Sequence, residues 1–420
     1  FTLLGGGQYG EFDERTELFD AGSFSFDPAD ITLKGSSGHL LGRWTRTLDE
    51  RSEIEVQSYL EISELDASWI RNQRVNYDVE LNHRWQPGER LDLNWGLGYR
   101  LNVDRITTGG DTISFSDEER SDNLFSGYVH NVVQLVPEVL SVTAGVRLEH
   151  NGYTGFEVQP TLRGLWKPAE SQSLWASVSR AVRTPSRVED DATISLSLRD
   201  PGEVHPVLPA LVTYSGTRSF ESEELWAFEL GYRWQATERL HLDLATFYNV
   251  YENLRGNQMG TPFPNDPLSP SYVIVPLTAS NDTQGVSWGG EFSAVWQPQE
   301  RWRLRLGYSY LELDLSGSDA DDEEGWSPRH QMFLQSLWQL TEELELDGAL
   351  RWVDELTGPA VPAYLTADVR LGWRPSDSLE FSIVGQNLFD SPHQEFESQA
   401  IRYRAAVIGR SVFGKLTWSF

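Results

Sequence analysis

No cysteine occurs in the 420 residues. Disulfide scaffolds, thiolate metal sites and cysteine nucleophiles are excluded together. The chain also lacks any run of about eighteen apolar residues, the length a helix needs to cross a bilayer. Lysine is confined to Lys34, Lys167 and Lys415, so arginine supplies nearly all of the 34 basic residues. Against these stand 63 acidic residues, a net charge of −29. Such a balance builds no general phosphate-seeking surface, and nucleic acid is excluded as a partner. The chain opens at Phe1 without Met or a signal segment, which reads as a processed form or the C-terminal part of something longer.

What is present in abundance is aromatic. There are 16 Trp, 15 Tyr and 19 Phe in a chain whose mean hydropathy is only −0.43. That combination is expected of an antiparallel barrel that crosses a membrane with strands, half of whose residues face water.

The periodicity agrees. In Glu224–Trp234, the residues Trp226, Phe228, Leu230, Tyr232 and Trp234 share one face, while Ala227, Glu229, Gly231 and Arg233 share the other. Trp302, Leu304, Leu306, Tyr308 and Tyr310 likewise oppose Arg301, Arg303, Arg305, Gly307 and Ser309, and Leu240, Leu242 and Leu244 oppose His241 and Asp243. Alternation over about ten residues is a strand signal. A soluble sandwich also alternates, but with shorter strands and its polar face outward. Here the charged face must line water or protein, because charge cannot face hydrocarbon cheaply. Trp85, Trp166, Trp234, Trp296 and Trp373 fall just before turns, where an interfacial girdle belongs.

Connections sort into two alternating kinds. Short polar turns recur at 86–89, 136–138, 167–170, 235–238, 297–300, 341–343 and 374–377. Longer Gly-, Pro- and Asp-rich stretches lie at about 9–38, 103–122, 183–221, 252–282, 315–328 and 390–410. Outer-membrane barrels place tight periplasmic turns on one rim and long extracellular loops on the other. The reading is all-β: about eighteen long strands, helix only in short loop pieces, and residues 1–420 as a single barrel domain with no internal linker.

Several segments together resemble the TonB-dependent outer-membrane receptors: residues 145–150 (GVRLEH), 156–160 (FEVQP), 173–187 (SLWASVSRAVRTPSR), 327–331 (SPRHQ), 384–390 (VGQNLFD) and the closing SVFGKLTWSF. The resemblance covers essentially the whole chain. It implies a 22-stranded barrel preceded by a plug domain and an energy-coupling box, so this chain would hold about 18 of 22 strands, without the plug. It also implies uptake of a scarce ligand, foremost a ferric siderophore, with cobalamin, haem or oligosaccharide as other cargoes. The implied location is the Gram-negative outer membrane among its lipid and lipopolysaccharide, with the TonB complex engaged through the part preceding this chain. Val412, Leu416, Trp418 and Phe420 look like the signal such proteins present to the barrel-assembly machinery.

Ligand contacts are expected on the long-loop rim. Arg180, Arg183 and Arg187 lie where a strand enters the 183–221 stretch, and could meet an anionic chelate through bidentate bonds or neutralise facing Glu and Asp. Arg329 and His330 stand in the same position by the 315–328 stretch. Tyr214, Phe220, Phe263 and Tyr272 could stack on a ligand or pack the loops together. The Pro- and Gly-rich stretches 183–221 and 252–282 are expected to hold most contacts, in turns and extended pieces rather than helices. The acidic run Asp314–Gly325 lacks the EF-hand spacing and reads as a solvated loop rather than a calcium site. His205 reads as a polar loop residue rather than a haem ligand. No metal and no cofactor is assigned. Two rivals remain: a passive porin, and an outer-membrane enzyme, although none of the eight His lies in a nucleophile-elbow or zincin motif.

Overall fold

The computed structural model describes residues 1–420 except 68, 319–323, 390–391, 397–406 and 420. Among the described residues, 22 strands form one sheet, and a short helix interrupts them. In chain order the strands are β1 (Thr2–Asp20), β2 (Ser25–Asp49), β3 (Ser52–Ala67), β4 (Ile70–Gly88), β5 (Leu91–Thr108), β6 (Ile113–Phe115), β7 (Glu119–Val136), β8 (Leu140–Asn151), β9 (Gly155–Ala169) and β10 (Gln172–Arg183). The helix α1 (Arg187–Asp191) follows, then β11 (Ala192–Arg199), β12 (Ala210–Ser215), β13 (Glu223–Thr237), β14 (Leu240–Met259), β15 (Phe263–Pro264) and β16 (Val273–Gln299). The chain ends with β17 (Trp302–Ser316), β18 (His330–Gln339), β19 (Leu344–Val353), β20 (Tyr364–Ser376), β21 (Leu379–Gln386) and β22 (Ser411–Trp418).

Four of these, β6, β11, β12 and β15, are short pieces within connections. The other eighteen are the barrel staves, each paired antiparallel with the next in sequence. Among the described residues β1 pairs only with β2, and β22 only with β21, so the wall is a curved sheet with an open seam.

Register fixes the two faces. Trp226, Phe228 and Leu230 of β13 lie opposite Val250, Tyr248 and Thr246 of β14, which lie opposite Val286, Trp288 and Gly290 of β16. The same face continues through Leu304 and Leu306 to Leu334 and Leu350. Trp226, Phe228 and Leu230 are exposed, and Leu304 and Leu306 half-exposed. An apolar face left uncovered is what lipid contact requires. Arg233, Arg303 and Arg305 occupy the opposite, inner face, where arginines pair across strands: Arg84 with Asp92 (2.6 Å), Arg100 with Asp78 (2.9 Å), Arg370 with Asp347 (2.9 Å). The girdle residues Trp85, Trp166, Trp234, Trp296 and Trp373 stand exposed along one end of the apolar face.

At that end every connection is short. One main-chain bond links each turn to the neighbouring strand: Gln86 N–H donates to the Arg51 carbonyl (2.8 Å), Gln235 to Ser171 (2.8 Å), Gln297 to Arg239 (2.8 Å), and the remaining turns likewise. The opposite rim differs from the sequence expectation in two places. The stretches 9–38 and 252–282 are largely continuous strand, because each hairpin carries its pairing past the ends of the neighbouring staves. Asp20 still pairs with Ser25, and Met259 with Leu277.

These extensions build a cap. β11 pairs with β6 and β12, β12 runs parallel to the start of β16, and β15 closes the edge. Ala210, Val273 and Val275 form one buried cluster of the cap, and Tyr214, Phe220 and Ala279 another. The tip of the β1–β2 hairpin docks on the cap through Phe19 N–H to the Thr112 hydroxyl (2.9 Å) and a Phe24–Tyr272 ring contact (4.5 Å between centroids).

Candidate functional site

The 184–222 connection begins with a strap that dips into the barrel mouth. Pro185 and Ser186 precede α1, and Glu189 reaches back to the Ser186 amide (2.8 Å) and hydroxyl (3.0 Å), which starts a helix in a segment expected to have none. Arg187 is 7 % exposed and grips Asp191 (2.8 Å), Asp104 of β5 and the Asp117 carbonyl, over the Phe115 ring. Arg120 joins Asp190 to Asp122 (2.9 Å), and Tyr153 O–H donates to Asp122 (3.0 Å). The strap is therefore pinned by buried ion pairs to staves that precede it by several strands.

Arg183 stands at the strap's foot. Its guanidinium forks between two carboxylates, Glu223 (2.6 and 2.7 Å) and Glu189 (2.7 and 3.1 Å). Burial pushes the Glu189 carboxyl up, but the bonds from Arg183 and Ser186 outweigh it, and it lies below its ordinary value. These groups line a cavity of about 450 Å³ on the inner face of the mouth, walled by Tyr251, Leu254, Leu313, Leu315 and Trp326, with Arg255 beside them. Thr283, 1 % exposed, lines the same space, and its hydroxyl has no hydrogen-bond partner. Tyr214 is buried against the same charges, its hydroxyl unpartnered and burial pushing its phenol up to about 12. A second cavity of about 590 Å³ lies on the other side of the strap, against Pro185, Arg187, Asp104 and Asp122.

Of the residues singled out from sequence, Arg183 lines the vestibule. Arg180 stands half-buried below it, bonded to Glu224 (2.9 Å). Arg187 and Tyr214 hold the strap and the cap. Tyr272 belongs to the joint with the β1–β2 hairpin. Arg329 and His330 lie elsewhere: His330 sits opposite Tyr310 on the outer face, bonded to the Tyr308 hydroxyl (2.8 Å), and Arg329 pairs with Glu312 (3.2 Å). Phe263 is exposed in β15, while Phe220 is buried under the cap. The His205 ring accepts from the Leu208 amide (3.0 Å), closing a local turn. Glu324 accepts from the Leu315 amide (2.6 Å), and the centre of that acidic run, 319–323, lies outside the described residues. Val412, Leu416 and Trp418 share the outer face of β22, and Phe420 lies outside the described residues.

Sequence reading missed Tyr251, Arg255, Thr283 and Trp326. Trp326 and Arg255 had a usable signal, since a Trp and an Arg in long-rim segments need a reason to be there. Thr283 had none. Among the described residues, a serine–histidine contact on the outer face joins Ser52 to His83, but Trp95 N–H donates to His83 Nδ1 (3.0 Å), so the neutral ring presents Nε2–H to Ser52 (2.9 Å) and cannot take its proton.

Comparison with known proteins gives the family. The family model described as TonB dependent receptor-like, beta-barrel, matches residues 3–388. A catecholate siderophore receptor, Fiu, of Escherichia coli is 23 % identical over 190 residues, covering 41 % of this chain and 23 % of that protein. Among solved structures, the siderophore receptor PirA of Pseudomonas aeruginosa superposes with a TM-score of 0.65 at 17 % identity, over 94 % of this chain and 64 % of that one. The FrpB iron transporter of Neisseria meningitidis gives 0.71 at 13 % identity, over 100 % and 69 %. At these identities the superpositions speak for the fold alone. The chain spans about a quarter of the length of the curated receptor and about two thirds of the solved ones. A receptor and transporter fold, not an enzyme fold, is what these matches share, and the chain belongs to the TonB-dependent receptors, whose β-barrel it carries.

Proposed function

We propose that the protein is the barrel of an outer-membrane receptor that takes up a ferric siderophore, with the energy for import delivered through the TonB complex. The observation that carries this reading is the vestibule: an aromatic and aliphatic chamber on the inner face of a wide barrel, bordered by the strap that its own long connection sends into the mouth. A lumen this broad gains selectivity only if loops close over the cargo. Named relatives of the barrel are receptors for siderophores and an iron transporter, which favours iron over cobalamin or oligosaccharide. In this reading Tyr251 and Trp326 stack on the cargo, and Arg183, tied to Glu189 and Glu223, shapes the chamber beside it. Arg180, Arg187, Tyr214 and Tyr272 hold the walls in place. The outer face sits in lipid and lipopolysaccharide, and Val412, Leu416, Trp418 and Phe420 are read by the barrel-assembly machinery.

Deletion of the gene followed by growth on single iron sources tests the reading. Growth is expected to fail on one ferric chelate and recover on complementation. Unchanged growth on every ferric chelate, together with lost growth on cobalamin, would sink the iron assignment.

A further inference from the structure

The vestibule's Arg183 is already matched: it is held by both oxygens of Glu189 and of Glu223. Arg187, beside the second cavity, is likewise held by Asp104 and Asp191. The charged groups lining the cavity are two arginines and two glutamates, so its net charge is zero. The rim above is strongly acidic. Among the described residues, the long-rim connections between consecutive staves carry 14 Asp and Glu against five Arg, a net of −9. An anion approaching this mouth meets an unfavourable field, and to gain Arg183 it must displace two carboxylates that already satisfy the guanidinium. What the chamber offers without such displacement is aromatic surface at Tyr251 and Trp326 and aliphatic surface at Leu313 and Leu315.

We propose that the cargo is a neutral or cationic chelate of the hydroxamate type, and that the mouth selects against polyanionic catecholate complexes. This rests on the importer reading above, and it runs against the ligand class in the name of the curated relative. The paired carboxylates Glu189 and Glu223 are the specificity determinants: they hold Arg183 away from anions.

The test uses the full-length gene product on intact cells with three radio-iron probes: a neutral tris-hydroxamate, a monocationic tris-hydroxamate and a trianionic tris-catecholate. Binding of at least one hydroxamate is expected to be tighter than that of the catecholate by roughly tenfold or more. Raising the salt from low to physiological should slow association of the cationic probe and quicken that of the catecholate, as screening removes attraction and repulsion respectively. The double variant Glu189→Gln with Glu223→Gln, checked for surface assembly, should move the preference toward the catecholate. A catecholate that binds more tightly to the native receptor, or whose association slows with salt, overturns the charge assignment while leaving the importer reading intact. No binding or uptake of any ferric chelate overturns both. The salt dependence is read on the native protein, so it decides the matter even where the double variant does not assemble.

Discussion

Arg187 illustrates what burial does to a guanidinium in this protein. With 7 % of its side chain exposed and Asp104 and Asp191 against it, removal leaves two carboxylates in a dry site without their cation. Arg187→Ala is therefore expected to cost the strap about 3–5 kcal/mol. Trypsin should then cut within residues 184–222 of the folded receptor, while the barrel keeps its resistance to heat in detergent. Unaltered cleavage would show that the strap is held by something else. Glu189 gives the matching pH prediction. Its folded pKa is depressed, so its contribution is complete above the ordinary carboxylate value and is lost as pH falls through the folded value. Protection factors of the α1 amides, corrected for the slower intrinsic exchange in acid, should stay high at neutral pH and fall sharply below the ordinary carboxylate range. Glu189→Gln should already exchange fast at neutral pH and lose that dependence. The arginines were visible in the sequence as a cluster. Their partners were not, because Asp104 lies 83 residues from Arg187 and Glu223 lies 40 from Arg183, and only strand pairing and the fold of the strap bring them together.

At the scale of elements, the staves were legible and the extensions were not. Alternation of period two marks β13 and β17 directly, since one face must be apolar and the other wet. The stretches 9–38 and 252–282 look like loops because Gly, Pro and Asp are frequent there, yet the hairpins continue through them by pairing with themselves. Composition reports intrinsic preference, whereas a two-stranded extension is held by the register inherited from the wall below. The helix α1 escaped notice for a related reason: five residues are too few for a periodic pattern, and only the Ser186–Glu189 spacing signals it. Within the staves, Gly231 is required by its neighbour across the ladder. The Trp175 indole lies over it, and a Cβ there would come within 2.3 Å of that ring. Arg163 in turn caps the ring at 4.5 Å. Gly231→Leu should displace the indole and destabilise the barrel by about 1–3 kcal/mol. The check is unfolding in urea with Trp fluorescence, and an unchanged midpoint would contradict the packing described.

For the whole molecule, the two faces of the wall obey opposite rules. Leu230 points outward from mid-strand on β13, 50 % exposed, and Leu230→Arg is expected to cost about 2–4 kcal/mol in a bilayer. Ser293 occupies the inner face of β16 beside Asp243, and Ser293→Arg should be neutral or slightly stabilising. Folding titrations of the two variants into vesicles measure both. Equal effects would mean that the faces have been assigned wrongly. The family was legible in scattered motifs because a barrel spaces its turns regularly. The vestibule was not, because its walls come from β10, β13, β14, β16 and β17, and no single segment carries it.

The main-chain bonds that link each short turn to its neighbour reach beyond stability. Stitches made of amides and carbonyls do not depend on which side chain occupies the turn, so sequence can drift there, but length cannot. An added residue at Glu238–Arg239 pulls the Gln297 amide off the Arg239 carbonyl and shifts every following stave by one face. On the far rim the tip of the β14–β16 connection bonds within itself, Asn265 N–H to the Tyr272 carbonyl (3.0 Å), and Leu268 is 95 % exposed. Guest peptides grafted after Asp266 should therefore be displayed on living cells, whereas the same graft after Glu238 should arrest assembly. One rim is a fixed hem, and the other is where a lineage can gain new specificities by insertion without rebuilding its wall.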